Sequence, residues 1–457
     1  MMDEKRIELP REFPGVIFYS EEELAAVQRV VKNQSPFRYY GPKCTFEAEN
    51  LEKEFSRFIL SKPGQPWPDE SDVFVTAVNS GTGALEVALD ALGVGCGDEV
   101  AVQGFMWIAT ISAIVRNRAI PVLVDSDDTV NMDPENLEYK VTDRTKVVIP
   151  VPMLGGCVKI GEIMEVVRSI NAERASRNIE PLRVLEDNAQ SIGAMATGRP
   201  GSIEAGVEGP HRIGLFGDIG IFSLQINKNI TAGEGGLIIT RDKDLHDRIQ
   251  AIHNVGFVRD KETNINWYGD KPLTWGQGRR ITELQAALAR VQLKKLDKIL
   301  ANMWDSHSRL EKHLKENHKV QVRGRASDLV LGDTGFFLIF RIPSMDQMAV
   351  EERIETCRNI NKELNERGVL SIYLHDYEVH VYYNIPQLME KKDVNNGCPW
   401  NCNNNSFHLE YDYHRGVLPF LDKILVSSIG INIPSQLTLK HEESMKAVID
   451  SVLGNYL

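Results

Sequence analysis

Between residues 72 and 240, short apolar runs of strand length alternate with helix-patterned stretches, and this alternation constrains the fold more than any other feature. "VFVTAV" (73–78), "EVAVQ", "PVLVD", "KVVIPVP", "LRVLED" (182–187), "IGIFSLQ" and "GLIIT" read as strands. "NSGTG" (79–83) leads from the first of them into a helix on which Leu85, Ala88, Leu89 and Leu92 share one face and Gly93 can close the end. Ile160, Ile163, Met164, Val167 and Ile170 are spaced for the apolar face of a second helix. Strands joined through helices require crossover connections, so the pattern predicts an α/β core: a mostly parallel sheet with helices on both faces.

"TELQAALARVQLKKLDKIL" (282–300) is the next long helix, with Thr282 and Gln285 at capping-box spacing. From about residue 305 the texture changes to strand-like "FFLIFRI", helical "AVEERIETCRNINKELNERG", strand-like "VLSIY" and a final helix, "HEESMKAVIDSVLGNYL". The expected organisation is an N-terminal arm over 1–40, a large domain over 41–304 and a smaller C-terminal α+β domain over 305–457. Within the last, 386–415 reads as a long polar loop, and loops of that length are uncommon unless functional or disordered. Residues 61–72 and 199–212 read as shorter insertions.

The formal net charge of −12 argues against nucleic acid or an anionic membrane as partner. No stretch approaches the roughly 18 apolar residues of a membrane span, and "MMDEKRIELPREF" carries charges where an export signal needs an apolar run. The six cysteines are scattered and only Cys398 and Cys402 are close, so neither a disulfide framework nor a zinc site is expected. A reduced, cytoplasmic chain without a bound metal is the reading.

Three pieces of this α/β region carry chemistry. "NSGTG" places small residues at a helix N-terminus, where unpaired N–H groups and the positive dipole end can hold a phosphate, although such turns are also common without one. "VLEDNAQ" (184–190) puts Asp187 just past the carboxyl end of a buried strand, where open α/β sheets bind ligands; a turn or helix-cap role is the alternative. In "FSLQINKNITAGEGG" (222–236), Lys228 lies between a buried strand and a glycine turn, either as a solvated loop lysine or as a functional amine. A phosphate cradle, a carboxylate and a lysine in this order have one economical joint explanation, pyridoxal 5′-phosphate. Lysine binds its aldehyde as a Schiff base and aspartate keeps its ring nitrogen protonated, so that the ring withdraws electrons.

The stretches "NSGTGALEVALDALGVGCGDEV", "FMWIATISAI", "VPMLG", "VLEDNAQSIGA", "GDIGIFSLQINKNITAGEGG" and "ITELQAALARVQLKKLD" resemble, in order and spacing, the DegT/DnrJ/EryC1/StrS-type sugar aminotransferases. The resemblance covers roughly residues 35–300 and continues more weakly to the C-terminus. It implies the aspartate-aminotransferase (type I) fold of pyridoxal-phosphate-dependent transferases and a homodimer. It further implies that Gly81 and Thr82 bind the cofactor phosphate through backbone N–H groups with the Ser223 hydroxyl, and that Trp107 stacks on the ring, a buried core tryptophan being the alternative. Asp187 would pair with the ring nitrogen, Gln190 would lie near the 3′-oxygen, and Lys228 would carry the cofactor and move the proton. The implied reaction passes an amino group from glutamate or glutamine to a keto or aldehyde sugar or a cyclitol, in amino-sugar or natural-product biosynthesis. The rival readings are a sugar dehydratase or lyase, which in the family carries histidine where Lys228 stands, and a non-catalytic regulatory protein that binds the cofactor.

The family pattern glycine–x–asparagine–x–arginine reads "GQGRR" here, with Gly278 at the asparagine position; Gln277 or Arg279 could take over its contact with the phosphate of the neighbouring subunit. The segment at "CPW" (398–400) resembles an insertion in members that aminate cyclitols, with a surface or dimer-contact loop as the alternative.

Overall fold

The computed structural model describes residues 6–10, 13–198, 209–259, 274–327, 329–395 and 397–456. The alternating region forms strands β1 (Phe74–Val78), β2 (Glu99–Gln103), β3 (Ile120–Val124), β4 (Thr145–Ile149) and β5 (Arg183–Asp187). A two-stranded ribbon, β6 (Met195–Gly198) and β7 (Gly209–Arg212), precedes β8 (Ile219–Ser223) and β9 (Gly236–Thr240). Seven of these make one sheet in the order β1-β9-β8-β5-β4-β2-β3. The pairs from β8 through β5, β4 and β2 to β3 are parallel. Every residue of β2, β3, β8 and β9 is buried, which is why these strands read as unbroken apolar runs rather than alternating ones.

β9 is the exception in direction, antiparallel to both β1 and β8. The segment between β8 and β9 holds no helix, and without a crossover the chain can only turn back beside the strand it has left. Lys228 sits in that reversal. The register Val78↔Gly236 also lays the end of β1 beside the start of β9, so the helix that follows β1 (Gly81–Ala91) begins next to the lysine turn.

The helix opened by Thr282 spans Glu283–Asn317 with its capping box formed, and runs straight through the expected boundary at 304/305. The apolar stripe does not stop there. Leu296, Ile299, Leu300 and Met303 pack in the core beside β1, β8 and β9, whereas Leu310 and Leu314 pack against a second sheet. One rigid helix therefore belongs to both cores, and the change of texture begins after it.

The second sheet comprises β10 (Gln321–Val322), β11 (Phe337–Arg341), β12 (Ser371–Tyr373) and β13 (Ser428–Asn432), antiparallel in the order β10-β11-β13-β12. The inner strand β13 escapes a sequence reading because "SIGIN" is short and interrupts its two isoleucines with Gly430, yet every residue in it is buried. The segment 386–415 is not the solvated loop its composition suggests. Trp400 and Tyr413 are fully buried and join the main core, Trp400 Nε1–H donating to the Lys392 carbonyl at 2.9 Å and Tyr413 O–H to the Pro121 carbonyl at 2.8 Å. Of the insertion expected at 199–212, residues 199–208 lie outside the described residues. No helix among the described residues is long and apolar enough to cross a membrane.

Candidate active site

The parallel strands β5 and β8 are neighbours, so their carboxyl ends bring Asp187 and Ser223 to the same edge of the sheet. Such an edge is where open α/β sheets bind ligands. "VLEDNAQ" offers two adjacent carboxylates, and strand alternation points them to opposite faces. Glu186 accepts from the N–H groups of Gly214, Phe216 and Gly217 at 2.7–2.8 Å and so organises the loop before β8. Asp187 faces the other way. It is 3% exposed and accepts from the Thr110 hydroxyl at 2.8 Å and the Ala189 N–H at 3.3 Å. Burial pushes its carboxyl above the ordinary aspartate range, while those two donors and the charge of Lys228 pull it back toward the anion.

Lys228 is half-buried in the β8–β9 turn, its N–H donating to the Gln225 carbonyl at 3.0 Å and its carbonyl accepting from the Gly15 N–H of the N-terminal arm at 3.3 Å. Burial brings its ammonium down to about 8, against the opposing pull of Asp187 and Glu234. A lysine in that range carries a usable fraction of free amine near neutral pH, which an ordinary surface lysine does not.

The helix Gly81–Ala91 starts beside this pair. Ser80 is its N-cap, accepting from the Gly83 N–H at 2.9 Å, and the N–H groups of the first turn have no carbonyls of the helix ahead of them to bond. Gly81 packs directly on Ser223: a Cβ added there would lie 2.9 Å from the serine Cβ. A helix N-terminus, a buried serine hydroxyl and a glycine kept clear of side chain make a cradle suited to a phosphate. Trp107, at the N-cap of the helix Ile108–Arg116, is 42% exposed, which removes the alternative of a buried core tryptophan. Gln190 accepts from the Leu154 N–H at 2.8 Å through Oε1, so its carboxamide is oriented by the Met153–Gly155 turn.

Two side chains of this site have no role in the sequence reading. Thr110, one turn along from Trp107, orients Asp187 through its hydroxyl. His380 packs its ring 4.6 Å from that of Trp107 and stacks on Tyr377 at 3.8 Å. Burial, with help from the charge of Lys228 and against a backbone contact from Tyr377, brings the His380 imidazole down to about 4, so it is neutral in the working range. The spacing Trp107–x–x–Thr110 was a usable signal for the threonine; nothing local marks His380.

The departure at Gly278 has a geometric reading. Gly278 has φ +66°, a left-handed conformation that glycine and asparagine both tolerate, so glycine preserves the turn while removing the carboxamide. The two candidate replacements are engaged within their own chain: Gln277 donates to Asp90 at 3.3 Å and Arg279 pairs with Glu86, both on the helix Gly81–Ala91.

Comparison with known proteins agrees with this architecture. The model of the DegT/DnrJ/EryC1/StrS aminotransferase family matches residues 19–395. The chain is 36% identical over 226 residues to the GDP-perosamine synthase of Caulobacter vibrioides, covering 49% of this chain and 53% of that protein. It is 34% identical over 227 residues to the L-glutamine:2-deoxy-scyllo-inosose aminotransferase of Streptomyces kanamyceticus, covering 49% and 48%. The chain thus spans about half the length of these relatives. Among solved structures, an aminotransferase from Psychrobacter cryohalolentis superposes with a TM-score of 0.74 over 98% of this chain and 99% of that one, at 24% identity, which establishes a shared fold.

Proposed function

Because the chain belongs to the DegT/DnrJ/EryC1/StrS aminotransferase family, we propose that it is a pyridoxal-phosphate-dependent aminotransferase. In this reading it transfers an amino group from glutamate or glutamine to the carbonyl carbon of a keto sugar or cyclitol, working in the cytoplasm as a homodimer. The observation that carries it is the pairing of a buried, hydrogen-bonded Asp187 with a Lys228 amine brought down to about 8 at the same sheet edge. Pyridoxal phosphate, when bound, supplies an aldehyde that captures amines and a ring that accepts the electron pair released at the donor's α-carbon.

The chain's own residues fit that group. The first-turn N–H groups of Gly81 and Thr82, with the Ser223 hydroxyl, would hold its phosphate. Trp107 would cover one face of the ring, and the Gln190 carboxamide would serve the 3′-oxygen. Asp187, which accepts from the Thr110 hydroxyl and the Ala189 N–H, would hold a proton on the ring nitrogen. Lys228 would hold the group through its amine, and the same amine would serve as the base that takes a proton from the donor's α-carbon. A lowered amine suits both tasks, because it can accept a proton and return it at the same pH. Neutral His380 packs beside Trp107 without adding charge to the site.

Borohydride reduction of the yellow holoenzyme, followed by digestion and peptide mass mapping, should place the pyridoxyl adduct on the peptide containing Lys228. With glutamine or glutamate alone, one equivalent of keto acid per site should be released. If no amino donor releases keto acid while a sugar substrate loses water, the protein is a dehydratase on the same fold and the reading fails. Sedimentation at assay concentration should give a dimer; a fully active monomer would overturn the two-fold arrangement.

A further inference from the structure

The sequence places Cys96 far from Cys398 and Cys402, but the fold gathers all three. Cys96 lies in the turn between the helix Gly81–Ala91 and β2, and the other two in the packed segment 386–415. Their Sγ atoms all lie within 4.8 Å of one another, with Cys96 and Cys402 in direct contact at 2.7 Å. The surroundings are built rather than loose. Asn405, fully buried, accepts from the Gly97 N–H at 2.6 Å and donates to the carbonyls of Arg118 and Pro399 at 2.9 Å each. One side chain thus ties the residue after Cys96 to the residue after Cys398. The Cys398 N–H donates to the Asn395 carbonyl at 3.1 Å, closing the turn that carries this thiol.

We infer that Cys96, Cys398 and Cys402 form a zinc site that fastens the 386–415 segment to the α/β core. Thiolates are soft ligands that select zinc over the hard divalent cations, and the spacing Cys398–x–x–x–Cys402 is within the range of structural zinc loops. A tetrahedral zinc with Zn–S bonds of about 2.3 Å needs sulfurs roughly 3.8 Å apart, so the Cys96–Cys402 contact at 2.7 Å would open by about 1 Å, while no pair exceeds 4.8 Å. The binding step balances without an oxidant: a zinc ion replaces three S–H protons, which go to solvent, leaving one net negative charge. A Cys96–Cys402 disulfide would instead require an electron acceptor. Cys398 also lines a hollow of about 360 Å³ with Arg116, Arg118, Val394 and Asn395, which has room for a water as the fourth ligand.

The test is metal analysis of the full chain, purified in reducing buffer without chelators and dialysed. About one zinc per chain is expected, and replacement by cobalt should produce thiolate-to-cobalt charge-transfer absorption. Cys402→Ser and Cys398→Ser should each lower the zinc content at least tenfold, whereas Cys44→Ser should not change it. Should those variants fail to fold, differential alkylation of the parent protein serves: Cys96, Cys398 and Cys402 should be protected together and exposed together by a strong chelator. Parent protein that leaves dialysis metal-free with six reactive thiols overturns the inference. So does a parent two hydrogen masses lighter with only four thiols, which would mark a disulfide, or zinc retained in both serine variants.

Discussion

Lys228→Met should stabilise the cofactor-free protein near neutral pH. Folding places the ammonium where burial disfavours it, lowering its pKa from a lysine's ordinary 10.5 to about 8 even with the attraction of Asp187 and Glu234 included. At ~1.4 kcal/mol per pH unit, that gap corresponds to about 3 kcal/mol of folding free energy spent on the charge. The side chain is partly open to solvent, so the recoverable gain is about 1–3 kcal/mol. Methionine keeps the length and apolar stem and removes the charge. The pH dependence follows from the direction of the shift. Below pH 8 both folded and unfolded states carry the proton, and the cost is full. Between 8 and 10.5 the folded amine is neutral while the unfolded one is still charged, so the cost declines; above 10.5 it is gone. Urea unfolding of the apoprotein should therefore show the variant ahead of the parent at about pH 7, with the difference falling below about 1 kcal/mol by about pH 10. Equal stabilities at pH 7, or an advantage that does not change with pH, would refute the claim that this lysine is electrostatically strained.

Asp187→Asn should keep the fold and lose activity by orders of magnitude, measured as kcat/KM with a saturating amino donor, because an amide cannot hold the ring proton. Thr110→Val should lower kcat/KM by about 10–100-fold, the worth of one hydrogen bond to a charged group, and should shift the acid limb of the pH profile upward as Asp187 loses a donor. Gly81→Ala should weaken cofactor retention about tenfold or more in a fluorescence titration, since its methyl would crowd Ser223 and overpacking costs about 1–3 kcal/mol. Trp400→Ala should lower stability by about 3–5 kcal/mol in the same urea assay, a cost expected of a core tryptophan and not of a residue in a solvated loop.

The strands of the seven-stranded sheet, and the lysine, aspartate and glycine proposed for the site, could be read from the sequence because their information is local. A strand buried on both faces must be apolar throughout, and a phosphate cradle or a strand-end carboxylate is written within a few residues of its strand. What only the tertiary structure decided depends on which distant turns meet. Thr110 reaches Asp187 across 77 residues, and Cys96 meets Cys402 across 306. His380 arrives beside Trp107 because its carbonyl accepts from the Met106 N–H, a pairing that no spacing in the sequence announces. The long helix crosses the expected boundary because two cores supply apolar partners along one stripe, and a stripe alone does not say how many cores it serves. The polar segment 386–415 packs inward for a related reason. Its asparagines look solvent-seeking as composition, but Asn405 is buried because the carbonyls of Arg118 and Pro399 and the N–H of Gly97 await it, and those partners exist only once the chain has folded.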